Sequence, residues 1–170
     1  MKGGIFAAIL TLLLLPATIF VTERTACGGA VPASTASGGE TEWVDFTLPD
    51  ASGKNVPLSQ FIGKKPVLLF FWATWCPHCN EAVSEINRMH EEAKKNGGLQ
   101  ILALDFMESP EKVNAFVSSK KVLYPVLLDR TGRVARKYKV VGIPTYILID
   151  RDGRVVYRDH ELPEVNRYLR

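Results

Sequence analysis

The chain has 170 residues, of which 46% are hydrophobic, and a formal charge of only +3. Setting aside the first forty residues leaves about 130, the size of one ordinary domain that can bury a core without disulfide staples. The basic residues are scattered, with no basic stripe interleaved with aromatics, which points away from nucleic acid as a partner.

Residues 1–22 contain Lys2 and an apolar run from Ile5 to Val21, broken by Thr11, Pro16 and Thr18. Two readings stay open. Ile5 to Leu15, ended by Pro16, fits the apolar centre of a secretory signal. The whole run just reaches the lower limit of a spanning helix, ~17–25 residues. No small-x-small cleavage site follows it, which favours an uncleaved membrane anchor over residues 5–21. Positive charge at the start keeps the N-terminus cytoplasmic and puts the rest outside, in the periplasm or on the outer face of the membrane. Cys27 sits among small residues, but Arg24 stands where a lipoprotein signal needs an aliphatic residue, so it reads as a linker thiol or a residue lost with the signal. Residues 23–40 form a flexible tether, rich in Gly, Ala, Ser and Pro over Gly28 to Glu40. The domain is expected over 41–170.

Trp43 to Leu48 alternates apolar and polar and predicts a strand. Pro49 to Gly53 is a turn, and Asn55 to Leu58 returns as a hairpin partner. Pro66 to Trp72 is almost wholly apolar, the pattern of a strand buried on both faces. Pro77 to Asn96 predicts one long helix, with Val83, Ile86, His90 and Ala93 on one stripe and Gly97-Gly98 stopping it. Leu99 to Asp105 is the next buried strand. Ser109-Pro110-Glu111 opens a second helix with a cap, a first-turn proline and an acid, and Val113, Phe116 and Val117 form its inner face. Pro125 to Leu128 is a short strand, Asp129 to Gly132 a turn and Val134 to Tyr138 a short helix. Tyr146 to Ile149 and Val155 to Arg158 pair as a hairpin around Asp152-Gly153. Leu162 to Leu169 is expected to close the fold as a brief helix. Strand–helix–strand units followed by a hairpin define an α/β fold with a mixed central sheet flanked by helices and an N-terminal β-hairpin extension.

The chemistry concentrates in Phe71-Trp72-Ala73-Thr74-Trp75-Cys76-Pro77-His78-Cys79, which leaves a buried strand and opens a helix. Two thiols at this spacing can close and reopen a small disulfide ring, so the run points to dithiol–disulfide exchange. Export permits disulfides, yet the domain has only this pair, which reads as a reagent and not as a staple. The attacking species is a thiolate. Cys76 stands where free backbone N–H groups at a helix start favour negative charge. Pro77 stiffens that start without losing a needed N–H, and His78 adds a donor and partial positive charge that favour an oxidising poise. Glu108, just past a strand end, is expected in a partly apolar pocket that raises its pKa. Trp75 is expected to be exposed and available to a partner, Trp72 to be core, and His90 and His160 to be bland.

These residues resemble the thioredoxin superfamily, and within it the membrane-tethered extracytoplasmic branch of ResA-like and TlpA-like proteins. The matching segments are the Phe71–Cys79 run, Gly142-Ile143-Pro144-Thr145 before a strand, Phe46-Thr47-Leu48, and Asp105 to Ser109. The resemblance implies that Cys76 is the exposed nucleophile and Cys79 the buried resolving thiol. It implies a cis-proline at Pro144, backbone hydrogen bonds from Ile143 to a bound peptide, and Glu108 as the acid assisting proton transfer. One departure matters: the buried Asp of thioredoxins is Phe70 here, which leaves the acid role to Glu108 or to none. A second is Pro77-His78, a dipeptide typical of the oxidant DsbA.

The resemblance implies a thiol–disulfide oxidoreductase with no cofactor beyond the Cys76–Cys79 disulfide and no metal. Its expected partners are exported protein thiols and disulfides, for instance apocytochrome c, and a membrane redox protein that resets the dithiol. The branch implies reduction, and His78 argues for a DsbA-like oxidant. A peroxidase fits poorly, because Thr74 is two residues before Cys76 where peroxiredoxins need three. A Sco-like copper chaperone, suited to soft thiolates, needs one more residue between the cysteines and a distant His.

Overall fold

The computed structural model describes residues 42–168. The expected signal or anchor, the tether and Cys27 lie outside the described residues, as does Leu169. Among the described residues no helix is long and apolar enough to cross a membrane.

A hairpin of β1 (Thr47–Pro49) and β2 (Asn55–Pro57) precedes a five-stranded sheet. The strands of that sheet are β3 (Val67–Trp72), β4 (Gln100–Phe106), β5 (Val126–Asp129), β6 (Thr145–Ile149) and β7 (Val155–Asp159), in the order β5-β4-β3-β6-β7. β3 pairs parallel to β4 and antiparallel to β6, so the sheet is mixed and β3 is its centre. All of β3 is buried, as its unbroken apolar run requires.

Alternation along β3 feeds two cores. Val67, Leu69 and Phe71 face one side, under the hairpin and α4 (Arg133–Lys137). Leu68, Phe70 and Trp72 face the other, with α1 (Pro77–Glu81), α2 (Val83–Asn96) and α3 (Pro110–Lys120). The disulfide lies on this second side, in one apolar cluster with Trp72, Ile86 and Val113. Phe70 stacks on Tyr146 at 5.0 Å between ring centres and lies edge-on to Tyr124.

Three expectations are corrected. The strand expected from Trp43 shrinks to Thr47–Pro49, because the phenol of Tyr138 takes both hydrogen-bonding groups of Val44: it accepts from the amide at 3.1 Å and donates to the carbonyl at 2.8 Å. That leaves nothing of Val44 for a ladder. The long helix is interrupted at Ala82, whose N–H is drawn to the carbonyls of both His78 and Asn80, tightening the turn. The stripe Cys79, Val83, Ile86 runs through the break without changing face. The closing helix is only a 3-10 turn, Val165–Arg167. Its apolar residues Leu162, Val165 and Tyr168 are three apart, the eclipsed spacing of that turn, and Tyr168 packs on Tyr157 at 5.2 Å.

Elsewhere the local signals hold. Ser109 caps α3 by accepting from the Lys112 amide, with Pro110 in the first turn. Gly153, at φ 82°, turns the β6–β7 hairpin, and a Cβ there would come within 2.8 Å of the Trp43 indole.

Phe70→Ala should cost about 3–5 kcal/mol by urea unfolding, because it opens a cavity among three aromatic rings. A loss below about 1 kcal/mol would contradict the packing described.

Candidate active site

β3 ends at Trp72, and the chain turns through Ala73-Thr74-Trp75 into α1. The turn is closed by the Cys76 amide donating to the Ala73 carbonyl at 3.2 Å. Cys76 is the N-cap of α1: its Sγ accepts from the Cys79 amide at 3.2 Å. Pro77 takes the first helical position, where its missing N–H costs nothing. Cys76 and Cys79 form a disulfide with Cα atoms 5.2 Å apart.

The expected exposure of Cys76 is corrected. It is 3% exposed and Cys79 is fully buried. Both sulfurs are tied into the ring and packed in the apolar cluster of Trp72, so only a narrow edge at Cys76 meets solvent. Exposed apolar surface lies beside it instead: Trp75 is 59% exposed and Val141 93%. Trp75, Phe106, Val140, Val141, Gly142 and Ile143 line a groove of about 370 Å³. The Ile143–Pro144 peptide bond is cis. Ile143 also packs against the cluster that holds both cysteines.

His160 is exposed, as expected, and is also tied to this loop. Its Nδ1 lies 2.6 Å from the Pro144 carbonyl. A carbonyl only accepts, so the hydrogen bond puts the proton on Nδ1. Thr145 Oγ1 donates to the Gly142 carbonyl at 2.6 Å, bracing the same loop from inside.

His78 points outward, with an 81% exposed side chain, and its Nδ1 lies 3.2 Å from Glu81 Oε2. The carboxylate offsets any imidazolium charge, and water screens the remainder. Its leverage on Cys76 is smaller than its place in the sequence suggests.

Glu108 departs most from expectation. Its side chain is almost fully buried and reaches back under the Cys76 loop. Oε2 accepts from the Thr74 amide at 2.6 Å and Oε1 from the Thr74 hydroxyl at 2.7 Å. Lys112, in the first turn of α3, places Nζ 2.5 Å from Oε1. Burial pushes its pKa up, but Lys112, the two Thr74 donors and Asp105 outweigh burial and hold it below the usual carboxylate range. Glu108 is therefore an ionised anchor near neutrality, not the raised acid expected.

The raised acid is Asp105, at the end of the expected strand Leu99 to Asp105. It is fully buried on β4, opposite Trp72 of β3. Its Oδ2 accepts from the Glu108 amide at 3.1 Å. Burial first, then the Glu108 carboxyl beside it, pushes its pKa up to about 7.

Residues 40–158 match the AhpC/TSA family. Thiol-disulfide oxidoreductase ResA of Geobacillus thermodenitrificans is 34% identical over 159 residues, covering 89% of this chain and 83% of that protein. ResA of Bacillus thuringiensis subsp. konkukian is 37% identical over 112 residues, covering 66% of this chain and 64% of that protein. The match thus spans just under two thirds of the length of that curated relative. A thiol-disulfide oxidoreductase of Bacteroides fragilis superposes with a TM-score of 0.65 at 28% identity, over 71% of this chain and 91% of that one. A Chlorobium tepidum chain described as a candidate DsbE thiol:disulfide interchange protein gives 0.67 at 30% identity, over 78% and 92%. The chain belongs to the AhpC/TSA family of the thioredoxin superfamily and, within it, to the ResA-like thiol-disulfide oxidoreductases.

Two tests follow from the geometry. Thr74→Val removes one donor to a buried carboxylate and should cost about 1.5–3 kcal/mol in denaturant unfolding at pH 7. Asp105 and Glu108 bias stability with pH in opposite senses. Glu108 contributes stability above its unfolded value of 4.5, lost as pH falls through its lower folded value. Asp105 binds its proton more tightly when folded, so stability falls as pH rises from 3.8 to about 7. Asp105→Asn should flatten that fall in a pH series of unfolding midpoints, and an unchanged slope would contradict the assignment.

Proposed function

We propose that the protein exchanges dithiol for disulfide on exported proteins, in the reducing direction. The single observation that carries the exchange chemistry is the disulfide itself, capping α1 next to Trp75 of an apolar groove, with the Cys79 amide aimed at Cys76 Sγ. After reduction the same amide faces a thiolate, which a hydrogen-bond donor stabilises.

The reducing turnover runs as follows. The Cys76 thiolate attacks one sulfur of a substrate disulfide; that S–S bond breaks and the substrate's other sulfur leaves as a thiolate and takes a proton. A mixed disulfide now joins Cys76 to the substrate. Cys79 loses its proton and attacks Cys76 Sγ, releasing the second substrate thiol and closing the ring. Two electrons pass from the dithiol to the substrate. A further dithiol must then reopen Cys76–Cys79, and we assign that role to a membrane redox partner. Extended substrate would lie in the groove between Trp75 and Ile143, alongside cis-Pro144. The apolar run at 5–21 supports an extracytoplasmic site, tethered to the membrane. Apocytochrome c, whose haem-site thiols must stay reduced, suits this chemistry.

The branch of the family supports reduction, and the outward-facing, Glu81-paired His78 weakens the argument for an oxidising poise. Equilibrating the full chain with glutathione should give a potential well below about −200 mV, whereas a value near about −120 mV would mark a DsbA-like oxidant. A Cys79→Ala variant should accumulate mixed disulfides on Cys76 with exported proteins that carry reducible cysteine pairs. If it traps none while remaining folded, disulfide exchange is overturned.

A further inference from the structure

We propose that Asp105 is a positioning residue: with Glu108 it forms a one-proton carboxyl pair that sets the charge held behind the Thr74–Cys76 loop. The proposal rests on the reading that Cys76–Cys79 cycles between disulfide and dithiol.

The geometry requires a proton here. Asp105 has no exposed surface. Its Oδ2 has the Glu108 amide, but Oδ1 has no hydrogen-bond donor among the described residues. An ionised carboxylate with a bare buried oxygen is costly. The Glu108 carboxylate beside it adds a like charge that disfavours ionisation of Asp105. Two buried carboxyls acting on one another in this way disfavour a second ionisation, so one of them holds a proton. Glu108 has Lys112 and both Thr74 donors to stabilise its charge, and Asp105 has neither. The proton therefore resides on Asp105. The pair carries one negative charge, offset by Lys112.

The surroundings leave few competitors. The neighbours of Asp105 across the sheet are Trp72 on β3 and Leu128 on β5, both uncharged. Asp129, also buried, belongs to the adjacent register position opposite Phe106 and accepts from the Ala135 amide of α4. The charged groups acting on Asp105 are Glu108 before α3 and Lys112 on α3. The Cys76–Cys79 ring on α1 belongs to the same core as Trp72.

From Asp105 a chain of hydrogen bonds leads to the loop that carries the sulfurs. Glu108 holds the amide and hydroxyl of Thr74. Asn80, next to Cys79, donates to the Thr74 carbonyl at 3.2 Å. Losing the Asp105 proton adds a second negative charge behind this loop. A Cys76 thiolate is then disfavoured. Linkage makes the effect reciprocal: forming the thiolate must tighten Asp105's hold on its proton.

The test follows the Asp105 side-chain carboxyl carbon by nuclear magnetic resonance in the full chain, oxidised and then reduced. Asp105 should titrate well above ordinary aspartates in the oxidised protein, and its midpoint should rise on reduction. Titration in the ordinary range, or the same midpoint in both states, overturns the proposal. The second measurement is the rate of exchange of the reduced chain with oxidised glutathione against pH. The wild type should show an extra inflection near neutrality that Asp105→Asn lacks, and the variant should run about threefold faster at pH 8, half a pKa unit. Superimposable profiles overturn the proposal. A chain that exchanges no disulfide at all in this assay fails the underlying reading, and is thereby told apart from a failure of the carboxyl pair.

Discussion

The active-site loop depends on one buried anion. Glu108 accepts two hydrogen bonds from Thr74, one from the backbone and one from the side chain, and so fixes the turn that carries the chain from β3 into α1. Without it the Thr74 amide would be left without an acceptor at the end of a buried strand, a loss of about 1–3 kcal/mol. The carboxylate is affordable in that position only because Lys112 and Asp105 complete its surroundings. Cys76, two residues beyond Thr74, inherits its placement from this clamp. The position of the nucleophile is thus set from β4 and α3 as much as from its own helix.

This arrangement divides the acid chemistry between two residues that sequence spacing alone would treat as one site. Glu108 stays charged and holds the loop, whereas Asp105 stays neutral until near pH 7 and responds to charge nearby. The same four-residue span serves both because Met107 between them adopts a left-handed conformation, φ 62°, which folds the Glu108 amide back onto Asp105 Oδ2. A non-glycine residue there costs of order 1 kcal/mol. The cis-Pro144 loop is braced in the same distributed way, by Thr145 from one side and His160 from the other.

Much of this was legible in the sequence where the signal is local. The buried run of β3, the Ser109-Pro110 cap and the Asp-Gly hairpin each carry their cause within a few residues, and each appears where expected. The Cys76–Cys79 pair was legible for the same reason. The misses are long-range or conformational. Nothing near Val44 announces Tyr138, which lies 94 positions away and takes the hydrogen bonds a strand needs. Nothing near His160 announces the Pro144 carbonyl, 16 positions back. Asp105 looked like a strand end because only the Met107 turn reveals that Glu108 shares its pocket. Lys112 belongs with these misses: Glu108 precedes the Ser109 cap of α3, so the helical pairing rule gives no sign that the two meet. The exposure of Cys76 was misjudged because a helix start is open to solvent only when no aromatic cluster packs against it.

The account stands on a Cys76 sulfur that is anionic at neutral pH despite its narrow exposure. The most direct measurement is the pH dependence of iodoacetamide alkylation at Cys76 in the reduced full chain, followed by mass spectrometry. The midpoint should fall clearly below the value of about 8.5 for a free thiol. A midpoint at or above that value, or a sulfur that no reagent reaches in the folded protein, would contradict it.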